Sequence, residues 1–225
     1  HDGRIHRYTD NQSKEQNFMT ASVSQAQSVK QVLTAVPIEH IWRFSVAQYH
    51  QMIRAGILTG DDQVELLKGW LISKMPKNPP HRIATKLTRQ SLEAAVPNGW
   101  YVDSQEPITL EDSEPEPDAI IVRGDTRDYQ NGHPTAKDIA LVVEISDTTL
   151  ERDRELKKQL YARAGIPVYW IINLTENKLE IYSQPDMNSD ESDYADKQIF
   201  SRNDPAPIVI EGQIVAYIAI NDLLP

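Results

Sequence analysis

Apolar positions along the chain change from strand to helix spacing and back, and the sharpest change lies between Ile139 and Leu174. The run IALVVEI, residues 139–145, is interrupted only by Glu144; a charged segment of helical spacing follows, and after Gly165 and Pro167 a second apolar run, Val168 to Ile172, returns. Two buried runs joined by a helix-length crossover predict strand, helix, strand with the strands parallel. Glu144 breaks the apolar pattern. A carboxylate in such a strand must be paired, protonated or cation-bound, because an unpaired buried charge is too costly to keep. A positive group is therefore expected beside it.

Upstream, FSVAQYHQMIRAGIL, residues 44–58, has helical spacing, a capping box in Ser45 and Gln48, and a stop at Gly56. Gln63 to Met75 predicts a hairpin turning at Lys68-Gly69, with Gly69 at positive φ and Glu65 pointing out of the first strand. A helix is expected from His81 to Val96, with Ile83, Ala84, Leu87, Leu92, Ala94 and Ala95 on its inner stripe and Asn98-Gly99 closing it. Trp100 to Leu110 and Pro115 to Val122 read as strands, the second entered through two prolines and carrying Asp118 where it begins. The polar stretch Arg123 to Asp138 is expected to form a loop beside the site that Asp118 helps build.

Beyond Leu174, Lys178–Tyr182, Ile199–Phe200 and Pro207–Ile220 are strand-like, Gln184 to Lys197 is acidic and expected to be mobile, and Asn221-Asp222 can cap a last helical turn. Residues 1–35, rich in Gln, Ser, Asn and Thr, read as a flexible polar tail, and residues 36–225 as a single domain. Strands dominate and the helices are interspersed, which predicts an α/β (α+β) domain with a mixed central sheet flanked by helices.

Charge and composition narrow the function. With 23 basic against 33 acidic residues the net charge is −10, which argues against non-specific adhesion to nucleic acid or anionic membrane and leaves room for a local basic cleft. The absence of cysteine removes disulfides, thiolate metal sites and cysteine nucleophiles, and suits the cytoplasm. No apolar run approaches the roughly 20 residues that span a bilayer, and the first residues lack the apolar centre of a secretory signal. The expectation is a cytoplasmic protein without membrane contact.

Asp118 and Glu144 sit on successive strands, each near an end, so pairing those strands brings two carboxylates together. Two carboxylates with substrate phosphate oxygens suffice for Mg²⁺, which takes hard oxygen ligands and keeps several waters. No zinc pattern competes, since the six histidines are scattered and there is no HExxH. Asp153, Lys157 and Tyr161 recur every four residues after Glu144 and share a helix face. The lysine could reach Glu144 or a phosphate, or simply pair with Asp153 at the surface. His81 is a helix-start residue or a substrate contact.

Pro117-Asp118, Val143-Glu144-Ile145-Ser146, Asp153-Arg154 with Lys157 and Tyr161, Gly165-Ile166-Pro167 and Tyr169-Trp170-Ile171-Ile172 together resemble the Uma-type endonuclease family of the PD-(D/E)xK, restriction-endonuclease-like superfamily. Glu65-Leu66-Leu67-Lys68-Gly69 and His81 after Pro79-Pro80 extend the likeness, which covers residues 44–224. The resemblance implies a restriction-endonuclease-like fold and a Mg²⁺-dependent endonuclease acting on DNA, with Mn²⁺ as a substitute ion. It implies Asp118 and Glu144 as metal ligands, with Glu65 as an optional third, Glu65 and Lys157 as further catalytic residues, and His81, Arg82 and Tyr161 as substrate-side candidates. One departure is that Ser146 stands where the superfamily lysine follows the second carboxylate; Lys157 takes that part from the next helix, with Lys158 as fallback. A symmetric homodimer is expected, because it is the simplest way for one site per chain to cut two strands. The competing expectation is a non-catalytic nucleic-acid or protein-interaction module. A nuclease would line its cleft with cations such as Lys77, Arg82, Lys86, Arg89 and Arg123; a module would expose apolar area instead.

Overall fold

A computed structural model describes residues 41–187 and 192–225. The tail expected over residues 1–35 lies outside them. The chain divides into His1–Arg43 and Phe44–Pro225, and the second unit holds every element considered below. In order these are α1 (Val46–Arg54), the hairpin strands β1 (Val64–Leu67) and β2 (Trp70–Ser73), α2 (Pro79–Glu93), β3 (Trp100–Asp103), β4 (Ala119–Arg123) and β5 (Ile139–Ser146). A helix α3 follows over residues 150–163, then β6 (Val168–Asn173), β7 (Lys178–Pro185), β8 (Tyr194–Ser201), β9 (Pro205–Ile210) and β10 (Gln213–Ala219). Among the described residues no helix is long and apolar enough to cross a membrane.

Strands β3 to β8 form one six-stranded sheet in sequence order. Only β5 and β6 are parallel, joined by α3; every other neighbouring pair is antiparallel, so the sheet is mixed as the apolar runs require. The two central strands are buried along their whole length. Alternation then assigns the faces. Val143 and Ile145 pack towards α2 and the β9–β10 hairpin, while Val142, Tyr169 and Ile171 pack towards α3. Glu144 and Ser146 share the parity of Val142, so the strand period of two points both at α3.

The expected capping box at Ser45 is present, and Gly56 follows α1 at φ 70°. The β1–β2 turn places both Lys68 (φ 49°) and Gly69 (φ 79°) in the left-handed region, the geometry of a tight two-residue hairpin.

Four expectations need correction. Helix α2 starts at Pro79 with Asn78 as its cap, and its inner face is Ala84, Thr85, Thr88 and Leu92, leaving Ile83 exposed. Small side chains on that face allow close approach to β4 and β5, which outweighs the apolar count. The strand expected to reach Leu110 ends at Asp103 because the chain opposite it contains Pro115 and Pro117, which have no N–H to continue a ladder. Their carbonyls instead accept from Ile108 and Gln105. Residues 123–138 leave the far end of β4 from Asp118, so this loop, with short 3₁₀ turns at Thr126–Tyr129 and Ala136–Asp138, does not border the site. The acidic segment Gln184–Lys197 contributes its ends to β7 and β8, and residues 188–191 lie outside the described part.

Helix α3 is fastened to the sheet by charge as well as by apolar packing. Glu180 of β7 is buried, and it accepts hydrogen bonds from Arg154 and from the Tyr182 hydroxyl (2.6 Å) and pairs with Lys197 (2.8 Å). Burial pushes its carboxyl up, but these three donors together outweigh that and bring it down to about 2. A depressed carboxyl lends stability that is complete above the ordinary value and lost as pH falls through about 2. Both cations are partly exposed and screened, so the contribution is discounted to about 2 kcal/mol. Glu180→Gln is expected to lower the melting temperature at neutral pH and to flatten the loss of stability between about pH 4 and pH 2, as read by thermal denaturation across that range.

Candidate active site

The Asp118–Glu144 pair follows from sheet register. Ala119 of β4 faces Val143 of β5, so the next antiparallel step sets Asp118 against Glu144. The backbone N–H of Ile145 donates to Asp118 Oδ2 at 3.0 Å, and His81 Nε2, in the first turn of α2, lies 3.1 Å from the same oxygen. Asn78 caps α2 by accepting from the His81 N–H and also donates to Asp147, tying the start of α2 to the segment after β5.

Glu144 has the positive neighbour that its burial demands. Lys157 Nζ donates to Glu144 Oε1 at 2.8 Å, and the Tyr161 hydroxyl donates to the same oxygen at 2.7 Å. Glu144 Oε2 takes no hydrogen bond from the described residues. Lys157 Nζ also lies 3.6 Å from Glu65 Oε2, so β1 closes the site from the other side. Glu65 was expected to point out of its strand; it is buried, because Lys157 and the Glu116 N–H (3.3 Å) give its carboxylate partners.

Helix α3 is not a regular α-helix. Leu150–Arg152 and Lys158–Arg163 are α-helical, but Asp153–Lys157 form a wider π turn in which the Lys158 N–H bonds the Asp153 carbonyl. Asp153 and Lys157 are both buried there, and the Tyr169 hydroxyl adds a second bond to that carbonyl at 3.1 Å. Ser146 and Thr149 each donate to Asp153 Oδ2 at 2.7 Å, while Asp153 Oδ1 is buried without a partner. Ser146 thus serves the Asp153 carboxylate. Sequence reasoning placed Asp153 on the right face but gave it only an exposed pairing; the hydroxyls of Ser146 and Thr149, two and five residues after Glu144, were the available sign.

The field in this cleft is set by an excess of carboxylates. Burial pushes Glu144 up to about 8; Lys157 opposes this, and Asp153, Asp118 and Glu65 add to it. Burial pulls the Lys157 ammonium down, yet Glu144, Glu65 and Asp153 more than offset this and hold it above the ordinary lysine value. One ammonium serves several carboxylates and cannot neutralise them all. The Tyr161 hydroxyl, buried beside Glu144, stays protonated far above the ordinary tyrosine range.

Glu65, His81, Asp118, Glu144, Asp153 and Lys157 therefore line one narrow cleft of about 80 Å³, with Lys74, Lys77, Glu116 and Arg152 on its walls. Tyr161 lies beneath it. Of the cations expected to line it, Lys77 does; Arg82 and Lys86 are exposed on α2, Arg89 pairs with Glu93, and Arg123 pairs with Glu211 over the Trp100 ring. Lys158 points away, to Asp193. Among the described residues no three imidazole or carboxylate groups converge on one point to hold a metal ion. The donor chemistry nevertheless suits a hard divalent cation: Asp118 and Glu144 are neighbouring oxygen donors, Glu144 Oε2 takes no hydrogen bond from the described residues, and carboxylates outnumber cations along the cleft.

Comparison with known proteins adds a family and a fold. The family model named Uma2 and described as "Putative restriction endonuclease" matches residues 46–215. A solved structure described as a "putative nuclease belonging to DUF820" from Anabaena variabilis superposes with a TM-score of 0.55 at 15% identity, over 76% of this chain and 94% of that one. No curated protein matches the sequence.

The raised Glu144 carboxyl makes stability fall with rising pH. A group held above its ordinary value of 4.5 lends stability that is complete below that value and lost as pH rises through about 8. In chelator, the wild type is expected to lose on the order of a few kcal/mol of stability across that window, and Glu144→Gln much less. Denaturant melts of both proteins at about pH 6 and about pH 9 measure the difference; parallel losses would show that Glu144 does not carry it.

Proposed function

The chain belongs to the Uma2 family, the restriction endonuclease family whose model spans most of it, and on that premise we propose that it is a Mg²⁺-dependent endonuclease hydrolysing phosphodiester bonds of DNA. The observation that carries this reading is the meeting of Asp118, Glu144 and Lys157, from three separate elements, in one cleft. Asp118 and Glu144 would hold the ion, with Mn²⁺ able to replace Mg²⁺. When bound, such an ion polarises the phosphoryl oxygen and makes its water more acidic.

The remaining work falls to the chain's own groups. Lys157 presents a fixed positive charge to the phosphoryl oxygens and orients the attacking water, a contribution that needs no rearrangement because Glu144 and Glu65 already hold the ammonium. Tyr161 fixes Glu144 from below. His81 fixes the Asp118 carboxylate and faces the cleft, where it can also donate to a substrate phosphate. Glu65 sets the position of Lys157 rather than joining Asp118 and Glu144 as a ligand.

A homodimer belongs to the same reading. Strand β10 pairs only with β9 among the described residues, carries no charged side chain, and exposes Ile214, Val215 and Tyr217. Two copies of a chain with net charge −10 meet there with least repulsion. Light scattering after size exclusion is expected to find a dimer that Tyr217→Lys converts to monomer; a monomeric wild type removes this part of the reading.

Supercoiled plasmid with Mg²⁺, Mn²⁺ or chelator tests the chemistry. Asp118→Asn and Glu144→Ala are expected to abolish cleavage. Lys157→Ala should cost about 10²–10³ in rate, and Lys158→Ala, outside the cleft, should leave cleavage close to wild type. Cleavage that survives chelator or Asp118→Asn would refute the mechanism.

A further inference from the structure

The catalytic cleft continues into two larger ones through shared walls. Lys74, Lys77 and Glu116 also line a cleft of about 460 Å³ bounded by α1 and the start of β1. Ile53 of α1 lines that cleft and a third of about 430 Å³, which also has His50, Arg54 and His133 on its walls. The three follow one another around α1, each sharing wall residues with the next.

Unpaired cations follow this path. Some described cations, Arg82, Lys86, Arg127, Lys137 and Arg202 among them, lie outside the clefts without an ion pair, and others find a carboxylate. Arg89, Arg123, Arg154, Arg163 and Lys178 each do. Arg152, Lys77 and Arg54 make no ion pair with any described residue, and they line the clefts in succession: Arg152 and Lys77 the first, Lys77 the second, Arg54 the third. Arg152 Nε is moreover buried without a partner. Of the carboxylates in the two outer clefts, Glu116 pairs with Lys74 at 2.7 Å, Glu114 meets His50 (2.7 Å) and Thr109 (2.9 Å), and Asp62 accepts from Thr59 (2.8 Å). Between the cations the wall of the second cleft mixes Ile53, Leu58 and Val64 with Thr59, Gln63 and Gln105. Spaced cations that make no ion pair, separated by wall that is part apolar and part polar, match a strand that alternates phosphates with sugars and bases.

We propose that the joined clefts hold one strand of the nucleic-acid substrate as it leaves the scissile phosphate, with Arg152 and Lys77 on the phosphates next to the cut and Arg54 on one further along. This rests on the nuclease reading, so its test reads binding and not cleavage. Fluorescence anisotropy in chelator follows a labelled single strand of about 16 nucleotides and one of about 4, each as DNA and as RNA, over a range of salt. The proteins compared are full-length wild type, Arg54→Ala, Lys77→Ala and, as a cation outside the clefts, Arg127→Ala; their melting curves establish that each is folded.

On the long strand, Arg54→Ala and Lys77→Ala should each weaken binding about threefold or more and reduce the slope of log affinity against log salt by about 0.7, the value for one phosphate contact on a single strand. Arg127→Ala should change neither. On the short strand only Lys77→Ala should matter, a length dependence that a general loss of structure does not produce. The DNA-to-RNA ratio identifies which strand the path accepts. An unchanged salt slope in Arg54→Ala, or equal effects on both lengths, overturns the path while leaving plasmid cleavage, and the nuclease reading, intact. Wild type that binds neither length of either strand also overturns the path, and plasmid cleavage then decides the nuclease reading separately.

Discussion

The contact between Lys157 and Glu144 is the constraint on which the rest of the site depends. Two opposite charges taken out of water cost several kcal/mol each, and their attraction repays this only when further hydrogen bonds satisfy the remaining valences. Here the repayment comes from three elements: Tyr161 on α3, Glu65 on β1, and the strand that carries Glu144. A hydrophobic pair of the same volume would be easier to bury. The chain keeps instead an ammonium fixed at the mouth of a carboxylate cluster, which fits a site that must meet a phosphate.

Precision in that cluster comes from the layer of tyrosines under α3. Tyr161, Tyr169, Tyr182 and Tyr194 are buried with ring centroids 5.1–6.3 Å apart along the series of contacts, and each hydroxyl has an acceptor: Glu144, the Asp153 carbonyl, Glu180 and the Ile166 carbonyl. A buried tyrosine contributes a large apolar body and one directional bond. The hydroxyls of Tyr161 and Tyr169 join α3 to the sheet and bond residues of the cleft directly, so they set the rotation of the helix as well as its distance.

The central part of this arrangement was legible in the sequence because strand parity is a strict code. Once residues 139–146 are a buried strand, Glu144 must face whatever covers Val142, and the next helix is the nearest cover; Lys157 and Tyr161 at four-residue spacing supply the complement. The inward face of α2 was not legible, since Thr85 and Thr88 are turned in by fit to β4 and β5 and a count of apolar residues favours Ile83 instead. Glu65 was misread for a related reason. A glutamate on a short hairpin strand usually faces water, and only the arrival of a lysine 92 positions later makes its burial tolerable. The π turn at Asp153–Lys157 likewise leaves no mark that helix spacing could reveal, because the wider turn is set by contacts from Ser146, Thr149 and Tyr169.

Carrying the lysine on a helix, while both paired carboxylates ride on the sheet, divides the site between parts of unequal firmness. The sheet strands are braced by neighbours on both sides, whereas α3 is anchored by its tyrosine layer and by the Arg154–Glu180 bond, whose arginine is partly exposed. Local openings in proteins occur in cooperative pieces with free energies below that of global unfolding. An excursion of α3 would withdraw Lys157 from Glu144 while leaving Asp118 and Glu144 facing each other. Heat or mild denaturant would on this view part the lysine from the carboxylates before it erases the fold, so the grip of one helix would bound the range over which the cleft stays assembled.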